Sequence, residues 1–99
     1  MSIEPLPEDI EIDSAETQGR VSTFSGRFLL GNQRYRFNGI AVMTIGGPTV
    51  GVSLSSEAEA ELLSKGISRE QLENIIAELQ RRIVEGGFRL GGDIRFLGD

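Results

Sequence analysis

Arg20–Ile45 reads RVSTFSGRFLLGNQRYRFNGIAVMTI. Two alternating strands flank Gly31-Asn32, a pair that tolerates positive φ and suits a two-residue hairpin turn. The turn sets Leu30 opposite Gln33, Phe28 opposite Tyr35, Gly26 opposite Phe37 and Phe24 opposite Gly39. Side chains alternate across a strand, so Phe24, Phe28, Tyr35, Phe37, Ala41 and Met43 share one face. That is the expected core face, with aromatic rings set against glycines. The opposite face gathers Val21, Thr23, Ser25, Arg27, Leu29, Arg34, Arg36, Asn38, Ile40 and Val42. It is basic beside the turn and apolar far from it.

Working outward, Gly46-Gly47-Pro48 reads as a second turn and Thr49–Leu54 as a third strand. Two helices follow. Ser56 with Glu59, and Ser68 with Gln71, have the spacing of capping boxes, in which a hydroxyl and an N3 side chain satisfy each other's orphan N–H groups. Gly66 and Gly86 stand where a left-handed residue ends a helix. The predicted helices are Glu57–Lys65 and Arg69–Glu85. In the second, Leu72, Ile75, Ile76, Leu79 and Ile83 form one apolar stripe, suited to cover the aromatic face. Between Gly86 and Leu97, short alternating runs read as a fourth strand or a small hairpin. Residues 1–19 carry six acids and no base, with Pro5 and Pro7. They are expected to be an acidic, flexible tail, although Asp9–Asp13 alternates and would also suit a short edge strand. The expected fold is therefore α+β: an antiparallel sheet of three to four strands in the order β-β-β-α-α-β. Both helices lie on one face, a tail spans 1–19 and a single domain spans 20–99.

The composition excludes much chemistry. The 99 residues contain no cysteine and no histidine, which removes thiolate and disulfide chemistry, the commonest neutral-pH base and the commonest zinc ligand. Serine catalysis needs a base beside the nucleophile. Lys65 stands at a helix end, where it serves the dipole instead. Glu57 and Glu61 share a helix face and could contribute to a magnesium site, but early acids also suit a helix N-terminus. Gly86–Asp93 lacks the Lys-Ser/Thr end of a phosphate loop and follows a helix, where a cap and a turn account for it. No enzyme and no cofactor is expected. No apolar run reaches membrane length, and the acidic start is unlike a signal peptide, so a cytoplasmic protein with no membrane contact is expected.

The net charge of −5 conceals an asymmetry. Residues 20–54 hold four arginines and no acid, whereas the segments before them and the helices after them are acidic. Arg27 and Arg36 should oppose one another, with Arg34 diagonal to Arg27, and like charges facing across strands repel. Relief can come from acids of the same chain, from a protein partner or from nucleic-acid phosphates. A sequence pI near 4.7 speaks against the last. The far end of the face, Val21, Ile40 and Val42, would be bare if helices cover only the other side, and monomers seldom leave such a patch exposed. The sequence therefore points to a protein–protein interaction module, homodimeric through Val21, Ile40 and Val42, with Arg27, Arg34, Arg36 and Asn38 as partner or anion contacts. A nucleic-acid-binding regulator that uses the same arginines is the alternative.

Overall fold

The computed structural model describes residues 6–91. The elements are β1 (Glu8–Gln18), β2 (Val21–Leu30), β3 (Gln33–Thr44), β4 (Gly47–Leu54), α1 (Ser56–Ser64), α2 (Arg69–Val84) and β5 (Arg89–Leu90). The class is α+β, as expected. The sheet has five strands in the order β4-β3-β2-β1-β5. It is mixed rather than antiparallel, because β5 lies parallel to β1. Of the Gly86–Leu97 run, only Arg89–Leu90 is a described strand, and residues 92–97 lie outside the described range.

The expectation of a flexible tail fails where the chain is described. Residues Glu8–Gln18 form a full strand on β2. Ile10 and Ile12 are buried in the core, and Pro7 is buried as well. The apolar half of the alternation anchors the segment, and its outward acids have arginine partners that sequence proximity does not reveal.

The hairpin register is the predicted one throughout: Leu30 pairs with Gln33, Phe28 with Tyr35, Gly26 with Phe37 and Phe24 with Gly39. Gly31 adopts φ +63°, as the turn requires. Phe24 lies over Gly39 so closely that a Cβ there would come within 2.2 Å of the ring. Phe24, Phe28, Tyr35, Phe37 and Ala41 are buried, but Met43 lies beyond the helices and is exposed.

Both helices contribute to this core, α1 through Ala58 and Leu62, and α2 through Leu72, Ile75, Leu79 and Ile83. The Ser68–Gln71 capping box is formed in both directions. At α1 the cap is Ser55, whose hydroxyl accepts from the Ala58 amide, so the Ser56–Glu59 pair is not the cap. Leu54 must turn in to the core, and Ser55 directly after it already has the extended conformation of an N-cap. Among the described residues no helix is long and apolar enough to cross a membrane.

Candidate functional site on the outer face of the sheet

The helices leave the other sheet face uncovered, and its residues fall into cross-strand rows. Arg89 of β5, Glu11 of β1, Arg27 of β2 and Arg36 of β3 lie side by side. Next come Ser14, Ser25, Asn38 and Ser53. Then follow Glu16, Thr23, Ile40 and Gly51, and after them Gln18, Val21, Val42 and Thr49. The face thus changes from charged, through short and polar, to largely apolar within four rows.

Two irregularities in β1 build the charged end. Between Glu8 and Glu11, and again between Ile12 and Ser14, the register on β2 slips. Each bulge adds a residue without turning the isoleucines out of the core. The extra outward residues are Asp9 and Asp13. Asp9 has φ +45°, a left-handed conformation that aspartate tolerates better than most side chains. At the bulge, Gly26 of β2 meets the β1 backbone so tightly that a Cβ would lie 2.0 Å from the Glu11 carbonyl oxygen.

The carboxylates so placed reach across β2. Asp9 accepts from Arg34 of β3 at 2.7 Å and from Arg89 of β5 at 2.8 Å. Glu11 pairs with Arg27 at 2.8 Å and with Arg89 at 3.2 Å. Asp13 takes Arg36 at 3.1 Å and lies 3.6 Å from Arg27. Arg27 and Arg36 do oppose one another, and the relief comes from acids of the same chain. Arg34, then Arg89, hold the Asp9 carboxyl below its ordinary value, and Glu11 raises Arg27 further above its own. Each of Arg27, Arg34, Arg36 and Arg89 is thus ion-paired with Asp9, Glu11 or Asp13. The basic patch expected from the hairpin alone is therefore a neutralised lattice. Arg89, eighty residues from Asp9, belongs to it, and no local sequence signal reveals that.

The other end has no such cover. Ile40 is 44 % exposed and Val21 37 %. Val42 is half-buried beside Val21. Ile45, in the β3–β4 turn, is fully exposed. Asn38 does not join the arginine lattice. It stands in the polar row, between two shallow depressions of about 420 and 350 Å³ that meet over Gly39. The expected contact residues are therefore divided: the arginines are committed to their own chain, while Asn38, Ile40, Val21 and Val42 border open surface.

The remaining chemical candidates have structural occupations. Lys65 donates to the hydroxyl of buried Tyr35 at 3.0 Å and to the Gln33 side-chain carbonyl, pinning the end of α1 to the hairpin. The Tyr35 hydroxyl raises the Lys65 pKa above its ordinary value, the opposite of what a lysine base needs. Glu57 and Glu61 are exposed on α1, with Glu61 beside Lys65 at 3.8 Å. Gly86 has φ +83°, and Gly87 donates to the Arg82 carbonyl, closing α2. Among the described residues no cluster of carboxylates could hold a metal ion. No protein-family model matches the chain, and no curated protein or solved structure resembles it at a significant level.

Proposed function

We propose that the protein is a small, non-enzymatic interaction module that self-associates through the uncharged half of its outer sheet face. One observation carries this reading. Val21, Ile40 and Val42 lie together on a face that no element of the described chain covers, with Ile45 bare at its end. Contiguous apolar surface of this kind is rare on a monomer and marks a contact surface. Arg27, Arg34 and Arg36, paired with their own carboxylates, serve to tie β1 to β2 and β3 rather than to recognise an anion. The nucleic-acid alternative loses its support for the same reason, since phosphates would have to displace Asp9, Glu11 and Asp13.

Ile40→Asp tests the reading without touching the core, because Ile40 is exposed. Light scattering of the natural chain should give a mass that rises from one chain to two with concentration, and the variant should stay at one chain. A single-chain mass throughout overturns the proposal. DNA or RNA binding at low salt that weakens steeply as salt rises would favour the alternative.

A further inference from the structure

We propose that the outer edge of β1, from Ser14 to Gln18, takes an extended segment of a protein partner as a further strand, and that this segment presents a basic side chain to Glu16. The proposal goes beyond self-association and uses a different surface, the rim of the sheet rather than its face.

β1 lies between β2 and β5, but β5 pairs only with Glu11 and Ile12. The Gly91 amide adds one bond to the Ile12 carbonyl. Past that point no described residue pairs with β1 on this side. Ser14–Gln18 keeps a regular register on β2, and all of it except Ala15 is exposed. An edge strand offers a row of amides and carbonyls to another chain, and proteins blunt such edges with prolines, lysines, bulges or a covering element. The opposite edge, β4, is blunted in this way, since Pro48 has no amide and Gln80 accepts from that of Val52. Both β1 bulges fall before Ser14, and Ser14–Gln18 contains neither proline nor lysine. At about 3.3 Å per residue these five residues span roughly 17 Å, the length of an ordinary strand.

Charge selects the occupant. Where β1 already has an edge partner, an arginine makes the contact: Arg89 reaches Asp9 at 2.8 Å and Glu11 at 3.2 Å. Glu16 offers the same chemistry further along the strand. It is exposed on the outer face and has no ion pair among the described residues. With Gln18, Val21 and Thr23 it lines a hollow of about 380 Å³. An arginine or lysine on the added strand can lay its stem along Val21 and Thr23 and bring its charged head to the carboxylate. In strand addition the main-chain bonds supply affinity and the alternate side chains supply specificity. A second copy suits this edge poorly, because antiparallel β1 strands related by a two-fold centred on the stretch set Glu16 opposite its mate, like upon like.

The test uses the full chain in dilute solution and two fluorescent peptides, Thr-Val-Thr-Arg-Thr-Val-Thr and the same peptide with glutamate in place of arginine. Anisotropy should show saturable binding of the arginine peptide, about tenfold tighter than the glutamate peptide, and Glu16→Arg should reverse that order. Hydrogen exchange within Ser14–Gln18 should slow when the arginine peptide binds. Ile40→Asp, which leaves β1 untouched, should bind the peptide as the natural chain does, so the loss of self-association and the loss of this site are told apart. No binding of either peptide at millimolar concentration overturns the proposal, and equal binding of both overturns the contact with Glu16. Exchange that is already slow in the free chain at every concentration assigns the edge to the rest of this chain. Slowing that grows with protein concentration assigns it to a second copy, and either result overturns the proposal.

Discussion

Asp9 is the residue on which the outer lattice turns. Its left-handed backbone lifts a carboxylate out of the β1 alternation, and that carboxylate joins Arg34 to Arg89 over the width of four strands. Asn tolerates the same backbone but carries no charge. Asp9→Asn should therefore keep the fold, lower the thermal midpoint by only a few degrees because the pairs are solvent-screened, and loosen β5. Hydrogen exchange at the Gly91 amide, which donates to the Ile12 carbonyl at 2.9 Å, reports that loosening. Unchanged protection would show that β5 is held by Phe88 and the backbone alone. Gly26 is constrained differently. Its missing Cβ admits the β1 backbone, and no side-chain motion makes room against a carbonyl oxygen. Gly26→Ala should cost about 1–3 kcal/mol, the usual penalty of forcing atoms into a packed interior, measured as a shift in the urea midpoint.

Among the elements, the β2–β3 hairpin was the most legible. A two-residue turn fixes register, and each aromatic position then follows by alternation. The α2 stripe was legible for a similar reason, since its 3.6-residue period is local. Leu79, fully buried at its centre, should cost about 2–5 kcal/mol as Leu79→Ala, and Leu79→Asp should abolish the cooperative melt. β1 is legible only in part, as the alternation of Asp9–Asp13 that suits a short edge strand, because half of what orders the full Glu8–Gln18 strand is remote. Ile10 and Ile12 need a core built from residues 24–83, and Asp9 needs Arg34 and Arg89. The bulges that turn Asp9 and Asp13 outward have no sequence signature. For the charged half of the outer face, strand alternation therefore leaves acids of the same chain as one of three candidate partners for the arginines, whereas the placing of Val21, Ile40 and Val42 on that face needs alternation alone. The β4 edge shows another long-range device. Gln80 of α2 accepts from the Val52 amide at 3.0 Å, and Pro48 on the same edge has no amide to offer. Both blunt an edge that could otherwise pair with another chain. Gln80→Ala should leave the melt nearly unchanged and speed exchange at the Val52 amide. If that amide stays protected, the helix backbone and not Gln80 covers the edge.

For the molecule as a whole, the ion pairs make stability depend on pH in a fixed direction. Arg34 and Arg89 hold Asp9 below 3.8, and Arg81 followed by Arg82 hold Glu78 down at about 2, against an ordinary value of 4.5. The folded chain thus binds protons at both groups less readily than the unfolded chain. Stability from these carboxylates is complete above about pH 5 and is lost as pH falls through the lower folded-state values, toward about 2 for Glu78. The groups lie on different parts of the fold, Asp9 on the outer sheet face and Glu78 on α2, so their effects should add. A series of urea midpoints taken from neutral pH downward should be flat to about pH 5 and then decline. Asp9→Asn should remove part of the decline, and Glu78→Gln should remove another part, extending to lower pH. Salt separates this behaviour from the dimer contact. Exposed pairs weaken as ionic strength rises, so high salt should flatten the acid slope. Apolar contact through Val21, Ile40 and Val42, the surface proposed above for self-association, does not weaken in this way. A dimer that persists in high salt after the acid slope has flattened would place its strength in the apolar rows. One that dissociates in step with the slope would place it in ion pairs instead.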